Sequence, residues 1–86
     1  MIELTANVHR EFLEAAYKEL CEIANVHENR LERINRFWVP LIHTNKGFGK
    51  IEKAHDALCA ACVFLVMSED KTAREFLVEA FNALYE

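Results

Sequence analysis

Between residues 1 and 39 the chain contains no helix breaker: the single proline is Pro40, and both glycines, Gly47 and Gly49, come after it. A sequence so poor in turn formers folds into a few long elements, and long elements are usually helices. The apolar spacing agrees. Phe12, Ala16, Leu20, Ile23, His27, Leu31, Ile34, Trp38 and Leu41 recur in steps of three and four, the signature of one helical stripe. The opposite side carries Glu11, Glu14, Lys18, Asn25, Glu32 and Arg36, with Glu14–Lys18 and Glu32–Arg36 as favourable i,i+4 pairs. The stripe keeps its phase across Asn25–Asn29, the stretch of poorest helix propensity. One continuous helix from about residue 6 to about residue 39, roughly 50 Å long, is therefore expected, with a kink at Asn25–Asn29 as its alternative.

Pro40 lacks an amide hydrogen and disfavours helix at Val39, and Thr44, Asn45, Gly47 and Gly49 make residues 41–49 read as a loop. A second helix is expected from near Lys50. It is apolar on every side over Ala57–Met67. Ser68, Glu69 and Asp70 mark the start of a third helix ending near Tyr85, with a seam of Ala73, Phe76, Leu77, Ala80, Phe81 and Leu84 and an Asp70–Arg74 pair. The short connection makes the last two helices an antiparallel hairpin. Hydrophobic residues form 52% of the chain, which excludes a disordered chain. The expected fold class is all-α: one long N-terminal helix followed by an antiparallel helical hairpin, residues 1–86 forming a single domain packed as a bundle. Two neighbours in one chain cover only two sides of the 57–67 helix. The third side forgoes about 1.5–3 kcal/mol for each large side chain left in water. A second copy packed alongside, most simply in a homodimer, removes that cost.

The net charge is −4, spread unevenly. Residues 26–55 carry Arg30, Arg33, Arg36, Lys46, Lys50 and Lys53 against three acids, and acids dominate on either side. Net acidity and the lack of a basic recognition helix weigh against nucleic-acid binding. The longest apolar run has 11 residues, Ala57–Met67, too short for a membrane span of about 20. The first 25 residues carry five acids and no apolar stretch of signal-peptide length. Three cysteines, two of them inside the apolar run, do not suggest a secreted disulfide framework, so a cytoplasmic protein is expected.

Three groups of residues invite a chemical reading. The loop Asn45-Lys46-Gly47-Phe48-Gly49-Lys50 offers glycine backbone, two lysines and the amides of a following helix to a phosphate or another anion, with His43 nearby. It is not a Walker loop, because the four-residue spacer between glycines is missing and Ile51 stands where Ser or Thr is needed. The plainer reading is a helix connection with glycines where the turn requires them. Arg30, Arg33 and Arg36 lead into Phe37 and Trp38, residue types favoured at protein interfaces. A solvated charged face beside a core tryptophan is the ordinary alternative. His55, Cys59 and Cys62 fall at i, i+4 and i+7 on one helix and are metal-ligand types, with Cys21, His27 or a second subunit as a source of a fourth ligand. A zinc CxxC normally sits in a turn, so buried packing of these three outweighs a metal site, and no cofactor is expected. His27 reads as a core or interface histidine with satisfied nitrogens.

No nucleophile–base arrangement stands out, and Ser68 is the sole serine, placed at a helix end. The sequence therefore points away from an enzyme. It points to a homodimeric interaction module that regulates or inhibits another macromolecule, its partner surface drawn from Arg30, Arg33, Arg36, Trp38, Lys46, Gly47, Phe48, Gly49, Lys50 and Lys53. Small acidic helical proteins of bacteria and their viruses often act in this way. A binder of a phosphate or nucleotide-like anion at Gly47–Gly49 is one alternative; a metal or thiol sensor through His55, Cys59 and Cys62 is another.

Overall fold

A computed structural model of the chain describes residues 6–26, 28–43 and 51–85, with side chains for 10–26, 28–41 and 51–85. Every regular element among them is a helix: α1 (Ala6–Ile23), α2 (Arg30–His43), α3 (Glu52–Val66) and α4 (Asp70–Tyr85). They form a four-helix bundle. Arg10 lies beside Leu84 and Ala24 beside Arg74, so α1 and α4 run antiparallel. Phe12 meets Phe37 and Glu19 meets Arg33, so α1 and α2 do the same. Leu41 meets His55 on α3. The α3–α4 hairpin is the most extensive packing unit, and α3 also touches both α1 and α2.

The single long N-terminal helix expected from the stripe is two helices. Asn29 takes a left-handed backbone, φ 57°, which ends any continuous helical path, and asparagine tolerates that conformation better than most residues. The carbonyls freed at the end of α1 find donors elsewhere. Asn25 Nδ2 donates to the Cys21 carbonyl at 3.0 Å, Arg74 Nη2 to Ala24 at 2.8 Å and Arg30 Nε to Val26 at 2.6 Å. Two of these donors come from other helices, so the break is fixed by tertiary contacts. Ile34 and Leu41 stay in the core, Arg30 turns inward, and Leu31, expected in the seam, is left 60% exposed.

Proline does not end α2 where expected, because the helix passes through Pro40 to His43. Pro40 has no amide to donate to the Arg36 carbonyl, so α2 gives up one helical bond and still continues three residues to its end, where the last carbonyls lack helical donors. His55 supplies a donor there: its Nε2 lies 2.6 Å from the Leu41 carbonyl. The remainder of the expected 41–49 loop, residues 44–49, lies outside the described residues, as does His27.

The expected third helix is α4, starting one residue later than proposed, at Asp70. Ser68, expected to open it, instead closes α3. Glu69 N–H donates to the Phe64 carbonyl at 2.8 Å and Ser68 N–H to Leu65 at 3.1 Å, with Ser68 left-handed at φ 61°. This is the Schellman pattern, in which glycine is the favoured residue at the left-handed position. Ser68→Gly should raise stability by about 0.5–1 kcal/mol, since a Cβ is disfavoured there. A melting temperature higher by a few degrees is the expected readout; an unchanged or lower one would contradict this account.

The core is built from Leu13, Leu20, Ile23, Ile34, Leu41, Leu58, Leu65 and Leu84 together with small residues. Ala54, Ala61, Ala73 and Ala80 are fully buried. They lie on α3 and α4, where short side chains let helix backbones approach closely.

Candidate functional site

Of the three arginines in the basic middle, two are consumed by the fold. Arg30 reaches Asp70 at the start of α4 with both guanidinium ends, Nη1–Oδ1 2.8 Å and Nη2–Oδ2 2.9 Å, while its Nε holds the Val26 carbonyl. The bidentate bond to Asp70 pushes the Arg30 pKa up, against an opposing effect of burial. Arg33 clips α2 to α1 through Glu19, Nε–Oε1 2.7 Å, with Glu22 further off at 3.6 Å. Arg36 projects into solvent, its side chain 68% exposed, touching Glu32 at 3.9 Å. Lys53 is exposed on α3. Lys46, Gly47, Phe48, Gly49 and Lys50 lie outside the described residues, and so does the His43 side chain, so the anion-binding loop has no geometry to report.

His55, Cys59 and Cys62 do share one side of α3. His55 is buried, with Nε2 on the Leu41 carbonyl and Nδ1 3.3 Å from Asp56. Cys59 Sγ lies 3.9 Å from His55 Nε2, the nitrogen that meets the carbonyl. A metal on Nε2 would have to displace that bond. Among the described residues no three or more His, Cys, Asp or Glu side chains are gathered to hold a metal ion. Burial, with Asp56 adding to it, pushes the Cys59 thiol up to about 11. Burial and the nearby Cys59 push Cys62 up to about 12, a backbone hydrogen bond opposing them. Thiols held protonated are poor nucleophiles and poor metal ligands at neutral pH.

Above about pH 9, the ordinary thiol value, the unfolded chain releases these protons while the folded chain keeps them. The stability present below pH 9 should therefore fall, on the order of 1–3 kcal/mol, as pH rises toward 11–12. Cys62→Val should flatten the loss of melting temperature between pH 8.5 and 10.5. A slope identical to that of the unmodified chain would show that the thiols do not carry it.

Among the described residues, two apolar surfaces are exposed. The first is a groove of about 280 Å³ between α2 and α3, lined by Leu31, Ile34, Trp38, Cys62, Val63, Val66 and Met67 with Asn35 as a polar member. Leu31, Val66 and Met67 are each more than half exposed, and Val63 is 41% exposed. Sequence reasoning expected α3 to present an apolar side beyond the reach of its neighbours, and that side is here. It did not expect Leu31 and Val39 of α2, both exposed, to extend it. Trp38 was singled out and does line the groove, half-buried.

The second surface lies on α1 and α4, where Tyr17, Phe81 and Tyr85 form an aromatic cluster. Ring centroids are 4.9 Å apart for Phe81–Tyr85 and 5.9 Å for Tyr17–Phe81. Val78, Phe81 and Tyr85 are exposed, and burial, aided by Cys21, pushes the Tyr17 hydroxyl up to about 12. Phe81 was placed in the seam by its spacing; it lies at the rim. Among the described residues no helix is long and apolar enough to cross a membrane. No protein-family model, curated protein or solved structure matches the chain.

Proposed function

We propose that the chain is a non-catalytic helical interaction module that associates with itself and regulates or inhibits a second protein. One observation carries the reading: two apolar surfaces, on α2/α3 and on α1/α4, are left exposed on different helix pairs. Exposed patches of this kind mark interaction sites, because each large side chain in water forgoes burial. One surface serves a second copy and leaves the other for the partner. Aromatic side chains such as Phe81 and Tyr85 are favoured as interface anchors. Arg30 and Arg33 are held by internal carboxylates, so the three arginines are not presented together to an anion. The raised thiols of Cys59 and Cys62 favour packing over redox or metal chemistry.

Native mass spectrometry of the untagged chain, purified without added metal or nucleotide, tests this. A dimer mass with nothing added is the expected result. A monomer at tens of micromolar would overturn self-association, and bound zinc, copper or an organic anion would replace the module by a metal- or ligand-binding reading.

A further inference from the structure

We infer that the second copy sits on the α2/α3 face, with the two α2 helices antiparallel across a two-fold axis at Asn35. This rests on the self-association proposed above and assigns its surface and register. Leu31, Asn35 and Val39 follow one another at successive turns along the solvent side of α2, Leu31 60% and Val39 49% exposed. They are equally spaced about Asn35. An antiparallel copy centred there sets Leu31 against the second copy's Val39 and Val39 against its Leu31, while the two Asn35 amides face each other and hydrogen-bond.

The charges beside this stripe match the same operation. Glu32 and Arg36 lie on one flank of α2, both more than two-thirds exposed and only 3.9 Å apart at their closest. Residues on the same flank of two antiparallel helices face each other. Glu32 therefore meets the second copy's Arg36, and Arg36 its Glu32, giving two ion pairs per dimer. In a parallel arrangement the same flank of the two copies lies on opposite sides of the contact, and neither ion pair can form. Val63, Val66 and Met67 of α3 flank α2 and bring further apolar area to the contact. Together with Leu31 and Val39 they expose on the order of several hundred Å² of side chain, a fitting core for an interface of about 800 Å² per partner.

Two measurements decide it. In sedimentation equilibrium, Glu32→Arg and Arg36→Glu should each weaken dimerisation about tenfold, since each sets like charges across the axis twice. The double variant should restore the wild-type constant. Circular dichroism of the singles at monomeric dilution checks that α2 is still formed, because each single also breaks the intrahelical pair. In the otherwise natural chain, Asn35→Cys should give a covalent dimer on mild oxidation, with peptide mapping placing the bridge between the two introduced thiols. If the wild-type chain dimerises yet neither charge reversal changes the constant and no such bridge forms, the α2 register is wrong while self-association stands. If Phe81→Ser then abolishes the dimer, the second copy belongs on the α1/α4 surface. A wild-type chain that stays monomeric removes both proposals together.

Discussion

Replacing Arg30 by alanine should lower the stability of the fold by about 2–3 kcal/mol, although arginine is usually a surface residue. Three bonds are lost at once: the bidentate pair with Asp70 and the donor to the Val26 carbonyl. Charge-assisted bidentate contacts are about twice as strong as neutral ones. The side chain is 10% exposed, and its removal leaves the Asp70 carboxylate, 23% exposed, without its guanidinium. Breaking a fully buried pair from one side costs about 3–5 kcal/mol, so some remaining water access and the favourable dipole at the start of α4 set the lower figure. Position adds to the effect, because Arg30 joins the end of the α1–α2 turn, directly after the left-handed Asn29, to the α3–α4 hairpin. Urea denaturation of Arg30→Ala, Asp70→Asn and the double variant forms the test. A coupling free energy above about 1 kcal/mol is expected for such a network; strict additivity would reduce the pair to a surface contact. Arg36→Ala, solvated in the single chain, should change stability in dilute protein by less than about 0.5 kcal/mol.

Arg30 also illustrates what the sequence could and could not disclose. Its role depends on Asp70, forty residues away, and no local pattern links the two. The same holds for Arg74, which caps the end of α1 from fifty residues away. The helices themselves were legible, because steps of three and four mark a buried stripe wherever helix and core coincide. Leu20, Ile23, Ile34, Leu58, Leu65, Leu77 and Leu84 are buried as the spacing implies. The poor helix propensity of Asn25–Asn29 marked where a break could fall, but not that it would prevail over the continuous helix, because residues on both sides keep a common phase and the decisive terms are tertiary. Pro40 was read too strongly as a stop. The helix gives up one backbone bond at Pro40 and runs three residues further, where His55 meets the Leu41 carbonyl. The apolar surface of α3 was legible as an excess of hydrophobic sides over available neighbours. Its continuation onto α2 was hidden, since Leu31 turns outward only once the helix is broken.

The other large effect separates residues that make the fold from residues that make the contact. Leu58 is wholly buried at the middle of α3, the helix that touches all three others. Leu58→Ala removes three carbons from a site with helices on several sides, where collapse is limited, so a loss of about 3–4 kcal/mol is expected. A chain of this length has on the order of 4–13 kcal/mol in total. The variant should therefore lose between a quarter and most of its stability at any protein concentration. Val66→Ala deletes similar chemistry at the last residue of the same helix, but from a side chain 52% exposed. Its cost in dilute protein should stay below about 0.5 kcal/mol, because the lost carbons were already in water. At high concentration the order of sensitivity changes. A second copy covering Val66 stabilises the folded form by mass action, and that added stability is what Val66→Ala reduces. Urea curves at about 1 and 100 µM should show the wild-type midpoint rising with concentration and the Val66→Ala midpoint rising less, while Leu58→Ala is displaced downward at both. Parallel behaviour of the two variants would mean that Val66 belongs to the fold and not to the surface that receives a partner.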